Sequence, residues 1–440
     1  MGCGADGQFT TTFQSKVASS VELTGAKRRV PLLLISLVAF LVALKPATGE
    51  AAKRGHRRYS HRRRVVHVLN APPYRALLLE DADTGQILYA YNEHLTWPPA
   101  SMAKMMLLLV AEDQIRAGRF SLSDPVRISI TAASTGGSRL GLRAGEVHPL
   151  GELMKAALIR SANDAAVAVA EKIAGSTEAC VRMMNQRAQA LHMYHTFFGT
   201  VDGLPPVPGH DVDFTDAYDM GILAREIIHQ TDLLKWSSME NALFDGGAAI
   251  LHNTNRLIGH FEGCDGIKTG FTHQAGFNLT ATAKRGDMRL IAVVLGAPTS
   301  AERFRQVANL LEWGFRNFVV VEPLKQGQVL PVSVRVGANL LVQPIAAKAA
   351  RVLVRRDEVP TLRLEYQLPT QLAAPLPAGT PLGTVMVRDG MRVVDQVSAL
   401  YPDFAANSIY GATLEPKFGV ALNPAAGAYG QTPSPTTGSW

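Results

Sequence analysis

The stretch Pro98-Pro99-Ala100-Ser101-Met102-Ala103-Lys104, followed by the apolar run Met105 to Ala111, decides how this chain is organised. Two prolines favour an extended backbone and stop a helix that arrives from upstream, whereas the residues after them are good helix formers. We therefore predict that Ser101 lies in the first turn of a helix, beside Lys104, because residues three apart share a helix face. The rest of that helix is apolar on every side, which predicts burial in the middle of a domain.

A lysine on a buried helix points to chemistry. Desolvation lowers the pKa of an amine, and a neutral amine can take the proton of a neighbouring serine. On this interpretation Ser101 is a nucleophile and Lys104 is its general base. The alternative is a serine that caps the helix and a lysine whose amine reaches water along its own stem. Ser-x-x-Lys is a weak pattern by itself, so the choice depends on partners elsewhere in the sequence.

The charge distribution argues against a nucleic-acid-binding protein. The 440-residue chain carries a formal net charge of +7, but residues 53–64 alone hold seven Lys or Arg and no acidic residue. With the net +2 of residues 1–52 also set aside, residues 65–440 carry −2. This part lacks the basic face that phosphate binding needs, so we expect no nucleic-acid partner. Residues 53–64 are either a solvated linker or a tether to an anionic membrane or cell-wall surface.

Cysteine and histidine spacing predicts neither a disulfide framework nor a metal site. Cys3, Cys180 and Cys264 contain no C-x-x-C pair. Spacing cannot test the geometry of a Cys180–Cys264 bridge, and we expect both thiols to be free. No zinc-binding pattern covers the remaining candidates, which we assign to surface or packing roles. These candidates are His192, His195, His210 and Asp211.

The N-terminal segment predicts export. Lys27-Arg28-Arg29 precede an apolar run, Val30 to Leu44, that is shorter than the roughly 20 residues needed to span a bilayer. We predict a signal peptide over residues 1–50, a basic linker over residues 51–69, and a location in the periplasm or on the outer face of the cytoplasmic membrane. An uncleaved signal anchor is the alternative, because no cleavage site is clean.

Residues 70–320 contain both strand and helix patterns, which predicts one catalytic domain. Predicted strands run from Arg75 to Glu80, Ile87 to Tyr91, Gly263 to Thr272, Phe277 to Ala283 and Leu290 to Leu295, the last three antiparallel in succession. Predicted helices run from Leu150 to Ile159, Asp164 to Ala174, Cys180 to Leu191, Asp219 to His229 and Ser300 to Phe315. The glycine-rich segment Ser134 to Ser138 lacks the Gly-Lys-Ser/Thr ending of a phosphate cradle, so we predict a plain loop.

The C-terminal part changes character. Short strand patterns between Gly and Pro turns predict a small all-β domain over residues 321–404. Within it, the turn Asp389-Gly390 predicts a hairpin of residues 384–388 with residues 391–394. Residues 405–440 are rich in Gly, Pro, Ser, Thr and Ala, which predicts disorder.

Three short motifs occur in a fixed order along the catalytic region. They are Ser101-x-x-Lys104, Ser161-x-Asn163 and Lys268-Thr269-Gly270. Taken alone, Ser161 or Asn163 would be the cap of the helix that follows. Taken together, the three motifs are the set found in penicillin-binding proteins and related β-lactamases.

On these motifs the chain resembles a low-molecular-mass penicillin-binding protein, a serine D-alanyl-D-alanine carboxypeptidase. The resemblance extends over about residues 70–400, and further stretches carry it: Pro99-Ala100-Ser101, Ser161-Ala162-Asn163-Asp164-Ala165, His252-Asn253-Thr254-Asn255, Asp265-Gly266-Ile267 and Leu311-Glu312-Trp313-Gly314-Phe315. It implies an α+β fold. Its catalytic domain would be β-lactamase/DD-peptidase-like, an antiparallel sheet flanked by helices plus a helical subdomain, followed by a sandwich-like β domain.

The resemblance also implies an activity and roles for the residues. The substrate would be peptidoglycan stem peptides, β-lactam antibiotics would be covalent inhibitors, and no metal or organic cofactor would take part. Ser101 would attack the carbonyl between two terminal D-alanines while Lys104 accepts its proton. Ser161 would relay a proton to the leaving amine, and Asn163 would hold Lys104 and the substrate amide.

The third motif would bind the substrate. Lys268, Thr269 and Arg303 would hold its terminal carboxylate, and Gly270 would allow close backbone approach. The backbone N-H groups of Ser101 and Phe271 would form the oxyanion hole.

Several positions depart from the family pattern. Ala103 and Ala162 replace a Thr and a Gly inside the motifs, and Phe271 stands where one subgroup often has His. Asp216 stands where the family often has Thr, a change that the sequence does not explain. The tail shows no amphipathic helix of the kind that often ends such carboxypeptidases, which leaves membrane attachment open.

The sequence leaves other functions in play. A D,D-endopeptidase that cuts cross-links is the nearest alternative, and a catalytically silent wall-binding protein is a more distant one. A β-lactamase is disfavoured because no Glu-x-x-Leu-Asn loop occurs between Asn163 and Lys268.

Overall fold

The computed structural model describes residues 72–205 and 212–403 of the chain, so the predicted signal peptide, basic linker and disordered tail lie outside it. The first strands are β1 (Ala76–Asp81), β2 (Ile87–Tyr91), β3 (Pro125–Arg127), β4 (Val147–Pro149), β5 (Asn241–Phe244), β6 (Ala249–His252), β7 (Cys264–Thr272), β8 (Gly276–Arg285) and β9 (Met288–Ala297). The helices are α1 (Lys104–Arg116), α2 (Ile130–Ser134), α3 (Leu150–Ile159), α4 (Asn163–Ala174), α5 (Thr177–Ala190), α6 (Ala217–Gln230), α7 (Leu233–Ser237) and α8 (Ser300–Asn317). No helix in these two ranges has both the length and the apolar character to cross a membrane.

A five-stranded antiparallel sheet organises the first part of the described chain. Its strands lie in the order β2-β1-β9-β8-β7. Alternate residues of each strand contribute side chains to the two faces of the sheet, because successive side chains of a strand point to opposite sides. On β1, Leu77 and Leu79 pack with α8 residues such as Leu311, whereas Leu78 packs with the helices of the other face, α1 among them. The sheet is therefore a layer between two hydrophobic clusters, as a buried strand pattern predicts.

Helix α1 lies at the centre of the larger cluster. Every residue from Lys104 to Ala111 is buried, which confirms the prediction drawn from its apolar run. Burial of each large apolar side chain contributes roughly 1.5–3 kcal/mol. This packing fixes the helix and makes Lys104, the one charged residue of that buried stretch, depend entirely on local partners.

The predicted long elements of the catalytic region are confirmed, with ends that differ by at most three residues. Helix α3 spans the predicted Leu150–Ile159, and the three successive antiparallel strands are β7, β8 and β9. The sequence analysis missed the short elements, which are β3, β4, β5, β6, α2 and α7. Elements of three to five residues carry too few periodic positions to stand out in a sequence.

The C-terminal part consists of short strands around a core of its own. They are β10 (Phe318–Leu324), β11 (Val334–Val336), β12 (Leu340–Val342), β13 (Ile345–Ala346), β14 (Ala350–Arg355), β15 (Leu362–Gln367), β16 (Gln371–Leu372), β17 (Pro381–Asp389) and β18 (Arg392–Leu400). The predicted hairpin is β17–β18. With this β region after the helix-flanked sheet, the predicted α+β fold class is confirmed. The numerical domain boundaries stay predictions.

Candidate active site

Ser101 lies in a single 3-10 turn, Ala100–Ala103, that runs directly into α1. The predicted first helical turn is therefore present, in its tighter form. Ala100 has a φ of +51°, a left-handed conformation that costs a non-glycine residue of the order of 1 kcal/mol. The Nζ atom of Lys104 lies 3.0 Å from the Oγ atom of Ser101, within hydrogen-bond distance. No side chain caps this turn, so the capping alternative for Ser101 is wrong.

The amine of Lys104 is enclosed. The residue is fully buried, and Nζ donates a second hydrogen bond, of 2.6 Å, to the backbone carbonyl of Asp202. The alternative in which this lysine reaches water is therefore wrong. Burial lowers the pKa of Lys104 to about 8, against the opposing charges of Asp202, Asp213 and Asp164. At pH 7 that value leaves roughly a tenth of the amine neutral and able to accept a proton.

Ser161 and Asn163 lie on the connection between α3 and α4. Ser161 is buried with a φ of +66°, a second left-handed non-glycine residue at the site. Ala162 occupies the cap position of α4 without a side-chain hydrogen bond, so neither motif residue caps that helix. The Nδ2 atom of Asn163 donates to the carbonyl of Gly136 at 2.7 Å.

One predicted contact is not made. The Oδ1 atom of Asn163, which could accept from Lys104, is buried without a hydrogen-bond partner among the described residues. The carbonyl of Asp202 is the acceptor that Lys104 uses besides Ser101. The idea that Asn163 holds Lys104 is therefore corrected for this structure, while its role toward a substrate amide stays a prediction.

Asp164, the residue after Asn163, anchors residues 140–142, which follow the glycine-rich segment. Its carboxylate is buried and accepts four backbone N-H bonds: one from Ala165 at 2.9 Å, and three from residues 140–142, which are Leu140 at 3.1 Å, Gly141 at 2.8 Å and Leu142 at 3.1 Å. The glycine-rich segment, which was predicted to be a plain loop, reaches the site through the carbonyl of Gly136, which accepts from Asn163. Sequence reasoning missed this role, although an acid at the start of a buried helix was a signal for it.

Strand β7 carries the third motif into the same region. Lys268 is buried, and its Nζ donates to the carbonyl of Thr269 at 3.0 Å. Thr269 donates from its hydroxyl to that of Thr254 at 2.8 Å, and the N-H of Thr254 donates to the carbonyl of Ile159 at 3.1 Å. Thr254 therefore links β7 to the end of α3, just before Ser161. The stretch His252-Asn253-Thr254-Asn255 supported the family resemblance, but the sequence did not predict that Thr254 would contact Thr269 and Ile159.

Gly270 permits the close approach of β7 to the Ser101 turn. A Cβ atom at this position would lie 2.4 Å from the carbonyl oxygen of Pro99, far inside van der Waals contact. Asn278 on β8 secures the same junction by donating to the carbonyls of Pro98 at 2.8 Å and Pro99 at 3.2 Å. Asn278 is a second residue that sequence reasoning missed. Phe271 follows Gly270 and is partly exposed.

Arg303 reaches β7 from α8. Its guanidinium donates to the carbonyls of Gly270 and Asn278, both at 3.2 Å, while its Nε is buried without a partner among the residues that the structure describes. Burial, reinforced by the positive charges of Lys104 and Arg303, holds the pKa of Lys268 well below its usual range. The basic side chains of Lys104, Lys268 and Arg303 are all buried here, and an anion such as a carboxylate would favour their charged forms.

The two described cysteines are free thiols, as predicted. Burial raises the pKa of Cys180 to about 12 and that of Cys264 to about 11. Neither thiol therefore has the character of a nucleophile.

Comparison with known proteins agrees with this geometry. A family model described as D-alanyl-D-alanine carboxypeptidase matches residues 71–299. The D-alanyl-D-alanine carboxypeptidase DacF of Bacillus subtilis is 36% identical over 364 residues, which are 81% of this chain and 90% of that protein. DacC of Escherichia coli, another D-alanyl-D-alanine carboxypeptidase, is 36% identical over 321 residues, 71% of this chain and 79% of that one.

A solved structure gives the same answer for the fold. Penicillin binding protein 5 from Haemophilus influenzae matches with a TM-score of 0.65 and 30% identity, covering 75% of this chain and 97% of that one. This likeness extends past the family match into the C-terminal β region. The resemblance read from the three motifs is confirmed: the chain belongs to the D-alanyl-D-alanine carboxypeptidase family, the serine-type low-molecular-mass penicillin-binding proteins.

Proposed function

We propose that this chain removes the terminal D-alanine from peptidoglycan stem pentapeptides through an ester formed on Ser101. The observation that carries the proposal is the 3.0 Å contact between the Lys104 amine and the Ser101 hydroxyl. A buried amine with a pKa of about 8 is a usable base near neutral pH. The alternatives, Ser101 as a helix cap and Lys104 as a lysine that reaches water, do not account for this contact.

Acylation needs two proton transfers, one away from the Ser101 hydroxyl and one to the leaving amine. Lys104 takes the proton of Ser101 as Oγ attacks the carbonyl carbon between the two D-alanines. The C–N bond then breaks, the leaving amine receives a proton through Ser161, and free D-alanine departs. Water hydrolyses the resulting ester and restores the Ser101 hydroxyl.

The developing oxyanion would be held by backbone N-H groups of Ser101 and Phe271. Support comes from Gly270, whose missing side chain lets β7 approach the turn that contains Ser101. These donors belong to a 3-10 turn and a strand fixed by Asn278, so they need little reorganisation as charge develops.

Lys268, Thr269 and Arg303 would bind the terminal carboxylate of the substrate. Burial disfavours the charged form of Lys268, so an incoming carboxylate offsets a cost that the free protein carries. Asn163 would hold the substrate amide through Oδ1, which has no hydrogen-bond partner of its own in the described protein.

We also propose that β-lactams acylate Ser101 and that the enzyme works outside the cytoplasm. A β-lactam presents a strained carbonyl and a carboxylate, which are the two features that this site would engage. Peptidoglycan as substrate and the apolar run of Val30 to Leu44 both support an exported protein. Residues 53–64 would then lie where they can meet an anionic wall or membrane surface.

One assay tests the proposal. Purified protein is incubated with a fluorescent penicillin and, separately, with a pentapeptide that ends in D-Ala-D-Ala. We expect a covalent label and release of D-alanine, with both lost in Ser101→Ala. Absence of the label in the folded wild-type protein overturns the proposal. Cleavage of cross-linked peptide dimers without release of D-alanine from the pentapeptide would point to the endopeptidase instead.

A further inference from the structure

Two imidazoles and a buried carboxylate meet at a second position in the catalytic region. His94 follows β2, His195 follows α5, and Asp216 precedes α6. The Nδ1 atoms of His94 and His195 lie 3.2 Å and 2.8 Å from the same oxygen, Oδ2 of Asp216. Each of the three residues offers one nitrogen or oxygen atom that could bind a metal ion, and these three atoms all lie within 4.8 Å of one another.

The carboxylate of Asp216 is fully buried, but its two oxygens have different tasks. Oδ1 accepts the backbone N-H of Asp219 at 2.7 Å and thereby caps α6. Oδ2 faces the two histidines. A second buried carboxylate, that of Asp219, accepts from His195 N at 2.8 Å and from the hydroxyl of Thr196 at 2.7 Å. The cluster therefore concentrates negative charge that a cation would neutralise.

The two histidines are accessible and already oriented. Their side chains are 52% and 50% exposed, so a metal ion and its remaining water ligands can reach them from solvent. The rings contact one another edge to face at 5.3 Å, and His94 also packs on Tyr218 at 5.0 Å. This packing restricts both rings to orientations in which Nδ1 points toward Asp216.

We propose that His94, His195 and Asp216 bind a divalent transition-metal ion, with Zn²⁺ as the best chemical fit. Two imidazole nitrogens and one carboxylate oxygen are a common set of zinc ligands, and water completes the tetrahedron. Ligands at about 2.1 Å from a tetrahedral ion lie roughly 3.4 Å apart. The 3.2 Å contact of His94 to Oδ2 is close to that separation, and a small ring rotation would lengthen the 2.8 Å contact of His195.

The ion would connect two segments, the one that leads from β2 toward Ser101 and the connection between α5 and α6. The segment of His94 leads to Trp97, which exchanges backbone hydrogen bonds with Thr215 beside Asp216. The indole of Trp97 donates to the carbonyl of Ala275 at 2.7 Å, in the β7–β8 turn. Metal binding here stabilises the protein and is separate from the chemistry at Ser101.

The test uses the full chain after treatment with a chelator. Titration with Co²⁺ should give the visible absorption of a four-coordinate site, and Zn²⁺ should displace it. Zn²⁺ should also raise the melting temperature in a concentration-dependent way. We expect His94→Gln and His195→Gln each to weaken this binding at least tenfold and to remove the thermal shift. His192→Gln, a neighbouring histidine outside the cluster, is the matched control and should keep both.

A further variant protects the test against misfolding. Asp216→Thr retains a hydroxyl that can cap α6 but removes the carboxylate, so it should fold and lose metal affinity. Equal Co²⁺ spectra and equal thermal shifts in wild type, His94→Gln and His195→Gln would overturn the proposal. That result would leave the two imidazoles as plain hydrogen-bond partners of Asp216.

Discussion

The serine–lysine site and the histidine cluster begin close together in sequence but handle charge in opposite ways. Lys104 is fully buried with two neutral oxygen acceptors, so desolvation lowers its pKa and makes it a base. In the histidine cluster, formed by His94, His195 and Asp216, the buried group is an anion and its partners are half exposed. Burial of an amine beside a hydroxyl thus favours proton transfer, and an anion under exposed imidazoles favours a metal ion.

The largest expected effect separates the two sites. Ser101→Ala and Lys104→Ala should each reduce acylation by fluorescent penicillin at least about 1000-fold, because nucleophile and base act as a unit. His94→Gln should stay within about twofold of wild type. Rate constants from stopped labelling reactions check this, with circular dichroism as the control for folding. Substantial labelling of Lys104→Ala would remove this lysine as the base.

The next effect concerns substrate binding on β7. Lys268→Ala should lower kcat/KM for the pentapeptide about 100-fold, since a charge-assisted bond to a carboxylate contributes about 1.5–3 kcal/mol. Lys284→Ala, an exposed lysine on the neighbouring strand, is the matched control and should change little. A loss of equal size in Lys284→Ala would mean that general charge, rather than a positioned cation, attracts the substrate.

The pH dependence of acylation sharpens the contrast. Because the pKa of Lys104 is lowered to about 8, the neutral fraction and the acylation rate should rise about tenfold per pH unit below that value. Above it the rate should level off. Lys268→Arg should keep the rising limb, since it leaves Lys104 in place. A wild-type profile that is flat between pH 5.5 and 8 would contradict the assignment.

A smaller effect is expected at another buried carboxylate, that of Glu80, which lies beside an arginine. Glu80 is buried, its pKa is raised to about 7 by burial, and its nearest cation is the Nε of Arg225 at 3.3 Å. Its folded-state pKa lies above the ordinary value of 4.5, so the folded protein binds the extra proton. Stability is therefore lost as pH rises from about 4.5 through 7.

Glu80→Gln should remove that pH dependence. The free energy of unfolding of wild type relative to Glu80→Gln should fall by about 3 kcal/mol between pH 4.5 and 8, as measured by urea unfolding. A difference that stays constant or grows with pH would show that Arg225 keeps Glu80 ionised.

The sequence predicted the parts of the site that depend on residues close together in the chain. Ser101 and Lys104 share a helix face by local geometry alone, and Gly270 marks a close backbone approach. Asp202 and Asn278 were missed because they reach the site through contacts 98 and 180 positions away. No local pattern records contacts over such separations.

Asp216 illustrates the limit more clearly. In sequence it is an unexplained departure from a family threonine, and His195 is assigned to a surface or packing role. In the structure Asp216 caps α6 and has two histidine neighbours, His94 from the segment after β2 and His195 from the start of the α5–α6 connection. Capping was within reach of sequence reasoning, since Asp is a strong cap. The meeting of these two connections depends on the tertiary fold.

The central claim is that Ser101 is the residue acylated. The most direct measurement is mass spectrometry of the intact protein after reaction with penicillin, followed by proteolysis to locate the added mass. The account predicts one penicilloyl group per chain, carried by the peptide that contains Ser101. Attachment to the peptide that contains Ser161 or Cys264, or label retained in Ser101→Ala, would contradict it.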